Sequence, residues 1–277
     1  MSDLTAAVRG GGPVLAGPIV FRLAARLEQV ELDEMLEDPA TAAFVLRSAQ
    51  SLFGSPLVVN QFQLGLEVES LDGPLQRDEI GNPTPGGVRD VALSPQVADT
   101  PLMSNAVDVA GRLSSELRGT AQVLGVLTGP ATLAELRGGS LDGLAEMYAV
   151  MARRYAEAGV AGVLLAERPG AMPTQASTTT AATLAELANI CRYYSVASIW
   201  LAPSTEPPEG PVDVVLGAAD VVPADVVRQP PADDAASRWT GRTGLLLTSG
   251  ELPADADPEN VTAWVERLGG VSLGTRR

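Results

Sequence analysis

The sequence predicts an α/β protein, a (β/α)8 barrel of the TIM type, and three observations favour that fold. Short apolar segments recur along the chain, and each is apolar almost throughout, as parallel strands covered by helices are. Helical patterns separate most of these segments. Their number, eight, favours a closed barrel over an open doubly wound sheet. The predicted strands cover residues 14–20, 56–61, 121–127, 162–166, 198–201, 212–216, 225–227 and 244–248.

Four helices have the clearest sequence patterns. Asp38 and Pro39 begin one of them as its cap and its first-turn residue, and Gly54 ends it. Apolar residues at three- and four-residue spacing predict the others. These cover 143–159, 180–194 and the stretch that begins at Asp257-Pro258.

The last third of the barrel is expected to be contracted. Residues 203–243 are rich in Pro, Asp and Ala and contain no helical pattern longer than about two turns. No segment has the composition of a linker between domains. We therefore predict a flexible leader over 1–12, a single barrel domain over 13–270 and a tail over 271–277.

The composition limits the chemistry that the chain can perform. The 277 residues include 19 basic residues, all of them arginine, no histidine and a single cysteine, Cys191. The chain therefore has no imidazole base and no amine for a Schiff base, and it cannot form an intramolecular disulfide or a thiolate zinc site. Catalysis would have to use carboxylate, guanidinium, hydroxyl or amide groups, and we expect neither a metal nor a cofactor.

The charge balance limits the partners. With 34 acidic residues the net charge is −15, which argues against nucleic acids and anionic membranes as partners. A small anion is still a suitable ligand, because a few arginines in a pocket can override the global field. No apolar run approaches the ~20 residues of a membrane span, and we expect a cytoplasmic protein.

Six segments in order resemble those of one family. They are 21–26, 38–43, 63–71, 127–134, which contains Gly-Pro-Ala-Thr-Leu, 155–163, and 249–261, which contains Pro-Ala-Asp-Ala-Asp-Pro-Glu-Asn-Val. Together they resemble the uroporphyrinogen decarboxylase superfamily, which includes corrinoid-linked methyltransferases and is related to cobalamin-independent methionine synthase. The resemblance spans roughly 13 to 268 and implies a barrel with its site at the C-terminal ends of the strands.

Only part of that family's functional set is present. The family's carboxylate-binding arginines match Arg22 and Arg26, although both could instead form surface ion pairs with Glu28 or Glu31. Its central aspartate is replaced by Gln63. The resemblance places its histidine at Ser249, and its zinc-binding residues at 200–202 and again near Ser249. Authentic uroporphyrinogen decarboxylation and zinc-dependent methyl transfer are therefore not expected.

The remaining polar residues at strand ends complete the predicted site. Glu167 follows the fourth strand and is the candidate general base, with Gln63 and Ser249 orienting the substrate. Asn60 and Arg168 join Arg22 and Arg26 as the candidate substrate-binding residues. Glu167 could instead be held in a structural pair by Arg168 or Arg22. Glu67 and Glu69 suggest scaffolding as readily as chemistry.

The first functional hypothesis is a metal-free lyase, of the decarboxylase type, that acts on a small carboxylated molecule. The alternative is a non-catalytic paralogue that acts as a binding or partner subunit. The decarboxylase relatives also suggest a homodimer.

Overall fold

The computed structural model describes most of the chain. The described residues are 3–8, 14–84, 89–171, 178–202, 210–218, 220–224, 227, 229, 231 and 244–269.

Helices and strands alternate over most of this length. The helices are α1 (Asp3–Val8), α2 (Phe21–Glu28), α3 (Leu32–Glu37), α4 (Pro39–Phe53), α5 (Leu66–Asp72), α6 (Pro101–Glu116), α7 (Pro130–Leu136), α8 (Leu144–Glu157), α9 (Thr178–Tyr193) and α10 (Pro258–Gly269), with a 3-10 turn at Pro95–Asp99. The strands are β1 (Leu15–Ile19), β2 (Leu57–Val59), β3 (Gln122–Thr128), β4 (Gly162–Ala166), β5 (Ala197–Leu201), β6 (Val214–Leu216), β7 (Val221–Val222) and β8 (Leu245–Glu251).

The strands form two parallel sheets. One sheet has the order β2-β3-β4-β5-β6 and the other has the order β1-β8-β7. Neighbours in the larger sheet are consecutive strands of the chain, as in repeated β-α-β units. Strand β1 lies beside β2. A Cβ added to Gly17 of β1 would be 2.7 Å from Cδ2 of Leu57 on β2, which shows how closely the two strands approach. Among the described residues no ladder joins the two sheets.

Two segments need comment against the sequence predictions. The described strand β7 lies at Val221–Val222, where it pairs with Leu247 and Thr248, whereas the predicted strand at 225–227 lies, except for Val227, outside the described residues. Pro223, which lacks an amide hydrogen, follows it directly. Part of the predicted leader forms α1, whose Leu4 and Ala7 are fully buried against the sheets. The Gly10–Gly12 run lies outside the described residues.

The core is mainly aliphatic, and the caps predicted for α4 are confirmed. The Asp38 side chain accepts a hydrogen bond from the backbone N of Ala40, and Gly54 ends the helix with a left-handed conformation. Phe44 and Leu52, which belong to the helix's apolar pattern, are 48% and 51% exposed. The buried stripe of α4 is instead Ala42, Val45, Leu46 and Ala49.

Cys191 is fully buried, as expected for a structural cysteine, and burial raises the pKa of its thiol to about 12. No helix in the described residues combines the length and the apolar character needed to cross a bilayer.

Candidate functional site

A chain of five charged and polar side chains lies at the C-terminal ends of β2 and β8. The Glu251 carboxylate accepts hydrogen bonds from the backbone N and from Nη1 of Arg22. Nη2 of Arg22 donates to Oε1 of Gln63 at 2.9 Å. Nε2 of Gln63 donates to Oε2 of Glu69 at 3.2 Å, and Glu69 pairs with Nη2 of Arg77 at 2.8 Å. We call these five residues the mouth network.

A short hairpin, residues 76–84, covers one side of the mouth network. The backbone N of Thr84 donates to O of Gln76 at 2.8 Å, and Nη1 of Arg77 donates to O of Gly81 at 2.8 Å. Gly81 has a φ of +87°, and a Cβ added there would be 2.2 Å from Cζ of Arg22. The hairpin backbone therefore lies directly against the Arg22 guanidinium.

The electrostatics of the network centre on Glu251. Burial raises the pKa of Glu251 to about 7, although the positive charge of Arg22 opposes that shift. Burial also lowers the pKa of Arg77, and Glu69 opposes it. A carboxyl group that titrates near neutral pH can both release and accept a proton under ordinary conditions, which is what general acid–base chemistry requires.

Glu167, the predicted general base, is held by four hydrogen bonds. Oε1 accepts from N of Ala131 at 3.1 Å and from Nε1 of Trp200 at 3.1 Å. Oε2 accepts from N and Oγ1 of Thr132, at 2.8 and 2.6 Å. Burial raises the pKa of Glu167. Four donors fill the acceptor positions of a carboxylate, so this side chain fastens the start of α7 to β4 and β5.

The guanidinium of Arg168 contacts Glu135 and not Glu167. Nη2 and Nε of Arg168 lie 2.6 and 2.8 Å from Oε2 of Glu135, at the partly exposed rim of the molecule. The suggested structural pair of Glu167 with Arg168 or Arg22 is therefore not formed, because Glu135 and Glu251 occupy the two guanidiniums.

The hydrogen bonds of three other predicted site residues go to partners outside the mouth network. Arg26 is exposed and donates to O of Ala256 at 2.9 Å, not to Glu28 or Glu31. Nδ2 of Asn60 donates to O of Ala106 on α6 at 2.8 Å. Oγ of Ser249 accepts from N of Ala224 at 3.2 Å. Of the seven predicted residues, the described contacts thus bring only Arg22 and Gln63 together.

Glu67 has a structural position similar to that of Glu167. It is buried and accepts from N and Oγ1 of Thr128 at 2.8 and 2.6 Å, and burial raises its pKa. Glu69, in contrast, belongs to the mouth network. The sequence pattern alone did not separate these two roles.

Two members of the network and one neighbour were not assigned a role from the sequence. Glu251 ends β8, so its position after an apolar strand was a usable signal. Arg77 lies in a loop without any motif. Gln61 follows β2 and is 3% exposed, and neither Nε2 nor Oε1 has a hydrogen-bond partner. Within the described part of the chain, no three side chains of the metal-binding types lie close enough to hold a metal ion.

Gly81→Ala is expected to displace the hairpin from Arg22. The added Cβ would overlap the guanidinium, and a positive φ disfavours alanine, so we expect a loss of about 2–3 kcal/mol in the free energy of unfolding. Trypsin should also cleave after Arg77 faster in the variant. Gly54→Ala is the control, since Gly54 also has a positive φ, +63°, and no atom within 4 Å of the added Cβ. Equal losses in urea unfolding for both variants would contradict the contact with Arg22.

Comparison with known proteins supports the fold. No protein-family model matches the sequence, and no curated protein matches it significantly. Among solved structures, a methyltransferase from Methanosarcina mazei superposes with a TM-score of 0.66 at 14% identity, over 96% of each chain. The homocysteine methyltransferase MmuM from Escherichia coli superposes with a TM-score of 0.51 at 10% identity, over 92% of this chain and 96% of that chain. The chain therefore shares the fold of these methyltransferases.

Proposed function

We propose that the chain is a cytoplasmic, diverged member of the uroporphyrinogen decarboxylase superfamily. Its strands would close into a (β/α)8 barrel over residues 13–270, with a contraction over 203–243. The ordered sequence motifs and the fold shared with two methyltransferases support this proposal. The close approach of β1 to β2 at Gly17 and Leu57 supports the closure.

The proposed activity is a metal-free, cofactor-free lyase reaction, of the decarboxylase type, on a small carboxylated molecule. The observation that carries it is the buried Glu251 carboxyl, with a pKa of about 7, against Arg22. This changes the assignment of the proton-carrying group from Glu167, whose acceptor positions are filled, to Glu251. Arg22 binds the substrate carboxylate, and Gln63, which contacts Arg22, orients it.

Substrate binding and proton transfer are linked in this scheme. A substrate carboxylate that takes the place of Glu251 on Arg22 neutralises the positive charge that lowers the pKa of Glu251. Burial then raises the pKa of Glu251 further, and Glu251 takes up a proton from solvent. Loss of CO2 leaves an electron pair on the substrate carbon. Glu251 donates its proton there, becomes a carboxylate and pairs with Arg22 again. Because the chain has no lysine for a Schiff base, the substrate must delocalise that electron pair itself, through a carbonyl group or an unsaturated ring.

Glu251→Gln tests the proposal by calorimetry. Titration of the wild type with acetate, succinate or benzoate at pH 8, in two buffers of different ionisation enthalpy, should show uptake of about one proton per bound carboxylate. Glu251→Gln should bind these carboxylates without proton uptake. It should release CO2 from β-keto acids at least about 100-fold more slowly than the wild type. Glu135→Gln, which alters another carboxylate paired with an arginine, should keep the uptake. Binding without proton uptake in the wild type, or no binding at all, would contradict the proposal.

The alternative function is a non-catalytic binding or partner subunit. The full pairing of Glu167 and the exposure of two large apolar residues on α4, Phe44 and Leu52, favour it. An exposed apolar surface is typical of a docking site for another protein. In that case carboxylates would not bind, and Phe44→Ser together with Leu52→Ser would change the molar mass of the assembly in light scattering. The proposed homodimer would be seen in the same measurement.

A further inference from the structure

Gln61 combines deep burial with a complete lack of hydrogen-bond partners. It is 3% exposed, and neither its amide nitrogen nor its amide oxygen has a partner. Buried polar side chains in native proteins nearly always have a partner, because an unpaired buried amide costs free energy. Two other buried glutamines show the ordinary case. Nε2 of Gln50 donates to O of Ser55 at 3.1 Å, and both amide atoms of Gln63 have partners in the mouth network. The unpaired amide of Gln61 therefore needs a partner from outside the chain.

The position of Gln61 points to the barrel interior. Nδ2 of Asn60 donates to α6, on the outer face of the sheet. β2 ends at Val59, but the backbone N of Asn60 still donates to O of Leu124 at 2.9 Å, so the alternation of side chains continues through Asn60. Gln61, the next residue, is thereby placed on the inner face with Leu57 and Val59. Two residues further on, Gln63 contacts Arg22 and Glu69. The unpaired amide thus lies at the same strand end as the mouth network.

We propose that Gln61 binds a carboxamide or lactam edge of the molecule whose carboxylate binds Arg22. A primary amide presents a donor and an acceptor side by side, and a second amide edge satisfies both. A carboxylate has only acceptors and would leave Oε1 of Gln61 unpaired. An ammonium group has only donors and would leave Nε2 unpaired. The ligand class is therefore a small acid that also carries an amide, and this assignment rests on the proposed function of the mouth network.

The first test compares succinate with succinamate, in which one carboxylate is replaced by a carboxamide. The wild type should bind succinamate about ten-fold more tightly, the effect of about 1.4 kcal/mol for one satisfied buried polar group. Gln61→Met, which keeps the length of the side chain, should bind the two acids equally. Gln50→Met should keep the preference. Equal binding of both acids by the wild type would overturn the role of Gln61 and leave carboxylate binding by Arg22 intact.

The second test needs no carboxylate and separates the two proposals. Butyramide should raise the melting temperature of the wild type and not that of Gln61→Met, even if succinate does not bind. Without ligand, Gln61→Met should melt at the same temperature as the wild type or higher, because it removes two unpaired buried atoms. Gln50→Met should melt about 2–4 °C lower, since it loses a hydrogen bond. An equal drop in Gln61→Met, or no effect of butyramide on the wild type, would overturn the inference.

Discussion

Glu167→Ala is expected to lower the free energy of unfolding by about 3–5 kcal/mol. The substitution leaves the two backbone amides at the start of α7 and the Trp200 indole without an acceptor, in surroundings where Thr132 and Trp200 are fully buried. Each unpaired buried donor costs about 1–3 kcal/mol, and the cavity adds to the loss. Urea unfolding at pH 7 measures the effect.

A second variant tests whether the loss comes from the hydrogen bonds to the carboxylate. Glu167→Gln keeps the shape but points an amide NH2 at donors, so we expect an intermediate loss of about 1–3 kcal/mol. Glu186→Ala on the exposed side of α9 should change the stability by less than about 0.5 kcal/mol. If Glu167→Ala had the same free energy of unfolding as the wild type, the four hydrogen bonds of Glu167 would contribute nothing to the stability of the fold.

Arg22→Met is expected to destabilise the protein in a strongly pH-dependent way. In the wild type, Glu251 has a folded-state pKa of about 7, above the ordinary 4.5. A raised carboxyl pKa means that stability falls as the pH rises from 4.5 to 7 and is then level. Without Arg22 the pKa of Glu251 rises further, so the fall continues above pH 7. The difference from the wild type should be small at pH 5 and reach about 2–4 kcal/mol at pH 9.

The control for this prediction is Arg168→Met, which removes a rim arginine from its pair with Glu135. That pair is partly exposed, so its loss should cost less than about 1 kcal/mol and depend little on pH. A similar pH dependence in both variants would show that the effect does not come from Glu251. Unfolding curves at pH 5, 7 and 9 are sufficient to decide.

The elements that carry local signals were predictable from the sequence. Asp38, Pro39 and Gly54 mark the ends of α4 through their own backbone and capping preferences, and the structure confirms them. The strand at Val221–Val222 was not predicted, because two apolar residues are too short a signal by themselves. Only its pairing with Leu247 and Thr248 of β8 identifies it.

The site was predictable only in part, for a related reason. Arg22 and Gln63 were found because family-like motifs marked them. The role of Glu167 depends on the backbone amides of Ala131 and Thr132, which face the end of β4 only in the folded chain. No local pattern shows which strand-end carboxylate meets donors in this way and which, like Glu251, meets an arginine.

The contact between Arg22 and Glu251 joins residues separated by 229 positions in the chain. A chain still being synthesised contains Arg22 early but lacks its partner until about nine-tenths of the protein has been made. Contacts of such high sequence separation form late, because a long loop must close first. The contact between Arg22 and Glu251 thus depends on completion of the fold, and a fragment that ends before β8 would contain β1 to β7 and lack the carboxylate that pairs with Arg22.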